Sequence, residues 1–241
     1  MHKVQFRTEF VKGVPKFINW FPGHMRSTLR QLEDELKKVD IFVEVRDARI
    51  PKSSRNPELL ATLPPSVKRL VVYNKIDLTN ERKAIELIKE LHKDEKDSRG
   101  KEVPFLHLST KKDTNINKLL TFIKSNSTAE FKTVGSWIMI GGFPNVGKST
   151  IINSLRSKDT EINHNKKSGA RTGGVPCVTK SISGFRIVTD PPTYMCDTPG
   201  IIIPKIEDPI DGLKMCACHN IRDGIVEDET ICDYILYTLN Q

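Results

Sequence analysis

Asn74-Lys75-Ile76-Asp77 comes before Gly142-Phe143-Pro144-Asn145-Val146-Gly147-Lys148-Ser149 in this chain, and that order constrains the fold more than any other feature. The later segment has the pattern G-x-x-x-x-G-K-S. Its glycines let backbone N–H groups close around phosphate oxygens, and a helix starting near Lys148 adds its positive end. The earlier segment has the pattern N-K-x-D, in which a carboxylate can read a guanine edge. In an ordinary chain carrying both, the phosphate loop comes first and the base reader last. Here they are reversed, yet each follows an apolar, strand-like run. The order predicts a nucleotide-binding α/β domain whose ends have been moved, a circular permutation. Termini usually lie at the surface and often close together, so a core can survive that change.

The hydrophobic spacing supports alternating strands and helices. Met25, Leu29, Leu32, Leu36 and Val39 recur at helical spacing and predict a helix over about 24–39. Ile41–Val45 reads as a strand ending at Arg46-Asp47-Ala48-Arg49, and Arg69–Tyr73 as a second buried strand beyond a polar, Pro-containing stretch. A helix over 80–93, a strand over 103–108 and a helix over 114–125 follow. Trp137–Ile140 feeds the phosphate loop, and Ser149–Arg156 is its helix. A polar loop runs from Ser157 to Thr179. Strands near 180–188 and 193–196 and helices over 211–222 and 228–239 complete the chain. The fold expected is a P-loop GTPase domain, circularly permuted, with a mostly parallel sheet covered by helices on both faces. It divides into a basic segment 1–23, the permuted domain 24–204 and a short C-terminal helical extension 205–241. Ligands in such sheets bind beyond the carboxyl ends of the strands, which is where Asn74–Asp77, Gly142–Ser149 and Asp197-Thr198-Pro199-Gly200 all fall.

The chemistry follows from residue type. Lys148 is expected to reach the β- and γ-phosphates, with Val146, Gly147 and Thr150 around it, and the Ser149 hydroxyl to bind Mg²⁺. A carboxylate at Asp77 accepts from the guanine ring N–H and its 2-amino group. Adenine lacks both donors and would leave the carboxylate unpaired. The Lys75 stem can lie along the base, Asn74 can bond its polar edge, and Ser109-Thr110-Lys111 suits a loop backing the base. Asp197 is expected to hold Mg²⁺ through a water, Thr179 to offer a second hydroxyl to that ion, and the Gly200 N–H to face the γ-phosphate. Ile201 stands where many small GTPases place a water-orienting Gln, so hydrolysis is expected to be slow until a partner or another residue completes the site.

Composition narrows the partners. A net charge of +8 over 241 residues favours an anionic partner such as RNA, DNA or an acidic membrane surface, although a merely basic surface gives the same number. No apolar run approaches the ~18 residues a spanning helix needs. Among the first 32 residues Lys3, Arg7, Lys12, Lys16, Arg26 and Arg30 face one acid, Glu9. That balance fits a mitochondrial presequence, and a basic tail touching RNA looks the same. Five cysteines in a chain of this size do not suggest a disulfide framework. Cys216-Ala217-Cys218-His219 has no second pair at finger-like spacing and reads as helix with buried thiols.

Beyond these motifs, Trp20-Phe21-Pro22-Gly23-His24-Met25, Val45-Arg46-Asp47-Ala48-Arg49-Ile50-Pro51, Arg55-Asn56-Pro57 and Asp233–Asn240 resemble blocks of the circularly permuted GTPases of ribosome assembly, both the bacterial large-subunit assembly GTPases and their mitochondrial relatives. The resemblance runs through most of the chain. It implies a GTP/GDP- and Mg²⁺-dependent GTPase assisting the large ribosomal subunit through its rRNA and ribosomal proteins. The compartment it implies is the mitochondrion, in the matrix or peripheral on the inner membrane, or the cytoplasm in a bacterial setting. It implies a role in hydrolysis for His24 and K⁺ binding for Asn145. The family usually continues into a longer helical C-terminal region, whereas this chain stops at Gln241. An RNA- or ribosome-binding scaffold, in which GTP only tightens docking, is the alternative that Ile201 keeps open.

Overall fold

The computed structural model describes residues 10, 18–19, 33–127, 135–158, 184–196, 205–206, 208–221 and 226–241. Its strands are β1 (Ile18–Asn19), β2 (Ile41–Asp47), β3 (Lys68–Asn74), β4 (Phe105–His107), β5 (Ser136–Gly141), β6 (Gly184–Val188), β7 (Thr193–Cys196) and β8 (Lys205–Ile206). Its helices are α1 (Pro57–Ala61), α2 (Glu81–His92), α3 (Ile116–Asn126), α4 (Lys148–Lys158), α5 (Pro209–Ala217) and α6 (Asp228–Leu239). Six strands form one sheet in the order β4-β3-β2-β5-β7-β6. All neighbours are parallel except β6, which runs antiparallel to β7 at the edge. The chain passes from α3 into β5, which is the join between last and first elements that a permuted order requires.

The apolar alternation of β2 explains how the sheet is covered. Successive strand residues point to opposite faces. Ile41, Val43 and Val45 join Leu70, Val72, Ile138 and Ile140 on one face, beneath Leu119 and Ile123 of α3 and Ile151 and Leu155 of α4. Leu213 and Met215 of α5 and Tyr234 of α6 belong to the same cluster. On the other face Phe42 and Met139 pack with Leu36 and Val39, and Val71 and Tyr73 pack with Ile88 of α2. Both faces are therefore buried, as the near-continuous apolar runs imply. Truncating the fully buried Ile138 to Ala is expected to cost about 2–5 kcal/mol.

Four boundaries differ from the sequence expectation. The expected strand 103–108 is paired to β3 only at Phe105–His107, because the Val103 N–H is drawn to Glu95 O (3.2 Å) and Pro104 has no N–H to give. The Pro-containing stretch after Arg49 holds α1, with Pro57 at its first position, where a missing N–H costs nothing. The helix expected over 211–222 starts earlier and stops at Ala217. Asp208 caps it by accepting from the Ile210 N–H (2.8 Å), and a left-handed residue, His219 (φ 55), closes it. Of the helix expected over 24–39, only 33–36 is described as helical, and a turn follows at 37–38.

The two ends of the chain meet. Phe10 packs edge-on against Tyr234 (5.4 Å between centroids) and beside Tyr237 of α6, and β1 pairs antiparallel with β8. Residues before the expected domain start thus touch the C-terminal segment.

Candidate nucleotide-binding site

The site forms at the carboxyl ends of β2, β3 and β5. At the end of β5 the chain must turn sharply past β2. Gly142 adopts φ +138, and a Cβ there would lie 2.2 Å from Val45 O, so only glycine fits. The loop then curls over Phe143–Gly147 into α4. Gly147 (φ +100) is pressed against Asn74, whose amide nitrogen would lie 2.2 Å from any Cβ. The two glycines of the phosphate-loop pattern are thus required by β2 and by the base-reading motif respectively.

Asn74 unites the motifs. Its Nδ2 donates to Val146 O (2.8 Å) and its Oδ1 accepts from the Thr110 N–H (3.4 Å). Its amide thus ties the phosphate loop to the Ser109–Lys111 loop, because the end of β3 faces both, and its second N–H is left for the base edge expected of it. Lys75 follows in the left-handed region (φ 65), and Ile76–Leu78 form one 3-10 turn anchored by buried Ile76, whose N–H donates to Leu108 O (3.2 Å). Asp77 stands half-buried on that turn, with no polar partner among the described residues. A cavity of about 360 Å³ is lined by Asn74, Lys75, Thr110, Asn145, Gly147, Lys148, Ser149 and Thr150. It falls in the size range of ligand pockets. Asp77 lies past Lys75, outside that lining. Ser109 is buried behind it, where its hydroxyl accepts from the Lys112 N–H (3.0 Å), and Val146 is buried too.

Lys148 lines the cavity and is also engaged by its own loop. Its Nζ donates to Gly142 O (3.0 Å) and Phe143 O (2.6 Å), so the ammonium crosses its own loop. Burial lowers its pKa to about 8, and an anionic phosphate beside it would raise it again. For Mg²⁺, the Ser149 hydroxyl on the cavity wall is a hard oxygen donor of the kind that ion takes. For K⁺, the Asn145 Nδ2 donates to His219 O (2.7 Å), so its oxygen is the atom that would face a cation. Both ions fit the donors present. His24, Thr179, Asp197 and Gly200 lie outside the described residues. Among the described residues no group of three or more His, Cys, Asp or Glu could hold a metal ion; Cys216 is buried and Cys218 half-buried.

Sequence reasoning overlooked Asp47 and Arg49 as parts of this site. Asp47 ends β2 and is the register partner of Asn74 at the end of β3. Its buried carboxylate accepts from Lys75 Nζ (2.9 Å) and from Arg49 Nη2 (2.7 Å). Burial alone would raise its pKa, but Arg49 and Lys75 hold it below the usual carboxylate range. The carboxyl-end rule that marked Asn74 applies equally to β2 and points to this pair.

Comparison with known proteins fits this geometry. The family model described as "50S ribosome-binding GTPase" matches residues 137–239. It begins at β5, so the base-reading half lies ahead of it, as permutation requires. Mitochondrial GTPase 1 of Aedes aegypti is 36% identical over 98% of this chain and 75% of its own length. Mitochondrial ribosome-associated GTPase 1 of Mus musculus is 37% identical over 92% of this chain and 67% of its own. The crystal structure of GNP-bound YlqF from T. maritima shares the fold, with a TM-score of 0.59 at 23% identity, covering 88% of this chain and 74% of that one. With its base reader ahead of its phosphate loop and this identity across nearly its whole length, the chain belongs to the family of the mitochondrial GTPases 1, circularly permuted P-loop enzymes that hydrolyse GTP.

Proposed function

We propose that this GTPase acts as a Mg²⁺-dependent switch in assembly of the large mitochondrial ribosomal subunit, with K⁺ at Asn145. The observation that carries the reading is the joining of Asn74, Thr110 and the phosphate loop around one cavity, so that a single ligand is held by base and by phosphate. The relatives named as mitochondrial and ribosome-associated support the compartment and the partner. The net charge of +8 supports an RNA-rich partner, and it also suits peripheral contact with the inner membrane. No helix among the described residues is long and apolar enough to cross a membrane. In this reading Thr179 and Asp197 complete the Mg²⁺ shell with Ser149, and the Gly200 N–H senses the γ-phosphate. His24 supplies the polar group that Ile201 lacks.

Multiple-turnover GTP hydrolysis, with and without large subunits and with K⁺ or Na⁺, tests the reading. Turnover should rise with subunits and with K⁺, and His24→Ala should lower the stimulated rate by about 10²-fold while barely changing GTP affinity. Co-sedimentation with subunits should weaken steeply as salt rises, since neutralised phosphates release counterions. Turnover indifferent to subunits, with GTP still tightening co-sedimentation, would favour a docking scaffold instead.

A further inference from the structure

The turn that ends α5 touches the nucleotide site through three consecutive residues. It is a Schellman closure: the Asn220 N–H donates to Met215 O (2.8 Å) and the His219 N–H to Cys216 O (2.8 Å). Glycine usually takes the left-handed position in this motif, whereas here it is His219 at φ 55, a conformation that residues with a Cβ avoid. Lys75 (φ 65) and Asn145 (φ 54) share that conformation, and both line the cavity. Backbone strain of this kind collects at functional sites.

Each residue of the turn has a partner in the site. Cys218 O accepts from Arg49 Nη2 (2.9 Å), whose guanidinium also grips both oxygens of Asp47, and Asp47 in turn holds Lys75 Nζ. His219 O accepts from Asn145 Nδ2 (2.7 Å). Asn220 is fully buried, and its Nδ2 lies 3.4 Å from Pro144 O. Further along the same block, Ser53 Oγ donates to Asp211 Oδ1 (2.6 Å) in the first turn of α5. Helix α5 is thus fastened at both ends to residues 49–53, and its final turn grips the phosphate loop as well.

We infer that the Cys218–Asn220 turn, working through Arg49, is a positioning element of the guanine-nucleotide site: it sets Lys75 by way of Asp47 and braces the phosphate loop at Pro144 and Asn145. The inference rests on reading the cavity as that site. Arg49 and the turn do not line the cavity, so they act through Lys75 and Asn145 rather than on the ligand. Coupling of this kind is reciprocal. Guanine nucleotide tightens the end of α5, and a partner that shifts α5 changes nucleotide affinity by the same factor. The consequence is a route between nucleotide and C-terminal helices that starts from the base and the phosphate loop.

The test uses the full chain, GDP and a non-hydrolysable GTP analogue. Hydrogen exchange of residues 210–221 is followed with and without saturating nucleotide, and affinities are measured for wild type and Arg49→Gln. Gln cannot form the two-pronged grip on Asp47 and reach Cys218 O at once. The expected result is slower exchange at the end of α5 when wild type binds nucleotide. In Arg49→Gln, affinity falls about 5- to 30-fold, and saturating nucleotide no longer slows exchange there, although the exchange of the strands is unchanged. Wild-type exchange at 213–221 that ignores nucleotide would overturn the inference without any variant. So would an Arg49→Gln chain that keeps both affinity and protection, or one whose α5 exchanges fast before nucleotide is added while affinity holds. A wild-type chain that binds GTP no better than ATP would instead overturn the reading of the cavity itself, and the inference with it.

Discussion

Strands β2 and β3 carry charge in two places, and the two places differ in how the charge is balanced. Midway along the strands, Glu44, Arg46 and Arg69 point to the α2 face and meet Glu95. Arg46 bonds Glu44 (2.9 Å) and Glu95 (2.6 Å), while Arg69 bonds Glu44 (2.6 Å) and also Glu95. Arg46 Nη1 donates to the Tyr73 hydroxyl (2.9 Å), which is bonded to His92 Nε2 (2.9 Å), and the His92 ring stacks on Phe105 (4.4 Å). Two guanidinium groups face two carboxylates, all buried. A few residues on, at the carboxyl ends, two cations (Lys75 and Arg49) hold a single buried carboxylate, Asp47, and a third, Lys148, has only carbonyl partners. Asp77, with no polar partner among the described residues, stands beyond them. A buried set that neutralises itself fixes structure. A partly open set with surplus positive charge, and one carboxylate held apart, is arranged for a ligand with phosphates at one end and N–H donors at the other.

The largest effect should come from unbalancing the closed set. Glu44→Ala leaves Arg46 and Arg69 facing Glu95 alone, and loss of one partner from a buried pair costs about 3–5 kcal/mol. Chemical denaturation should show that loss, while the nucleotide affinity of the folded protein stays near wild type. Affinity lost with stability intact would break the contrast. Next in size is Lys148→Ala, which should weaken GTP binding by more than about 100-fold, or roughly 3 kcal/mol. Its melting temperature should move less than in Glu44→Ala, because the carbonyls it releases are neutral and no buried charge is left unpaired. A melting temperature lowered as far as in Glu44→Ala would make Lys148 structural.

The closed set also predicts a pH response in two windows. Burial lowers the His92 pKa from 6.5 to about 4, so the unfolded chain binds the proton that the folded chain refuses between those values. Stability therefore falls as pH drops from about 6.5 toward 4, by about 1–3 kcal/mol. Burial would raise Glu95, but Arg46 and Arg69 hold it at about 2. Its contribution is fully present above the ordinary Glu range and is lost as pH falls toward 2. His92→Gln should flatten the upper window and leave the lower one, as read by denaturation midpoints from pH 7 to 3. An unchanged upper window would show that His92 is protonated without penalty.

The strands, the helices after them and the two nucleotide motifs were legible because each depends on spacing within a dozen residues. Placement at the carboxyl edge followed from parallel pairing, which also unites Asn74 with the phosphate loop. What escaped depends on contacts far apart in sequence. Arg49 and Cys218 are separated by 169 residues, and nothing in Cys216-Ala217-Cys218-His219 signals a helix closure lying on a phosphate loop. Glu44 lies in the apolar run Ile41–Val45, where its neighbours betray neither Arg69 nor Glu95. Residue type assigned Asn74 and Lys148 to ligand but gave no sign that they also bond within the protein.

Competition between GTP and ATP for the purified chain, with wild type and Asp77→Asn side by side, bears most directly on the union of the two motifs in one guanine site. Asp77 is the one carboxylate of the open set without a polar partner among the described residues, so exchanging an acceptor for a donor there disturbs nothing else. Wild type should prefer GTP by at least about 100-fold. Asp77→Asn should lower GTP affinity by about 1–3 kcal/mol and leave ATP affinity and melting temperature where they were. Equal binding of GTP and ATP by wild type, or a GTP preference untouched by Asp77→Asn, would contradict it.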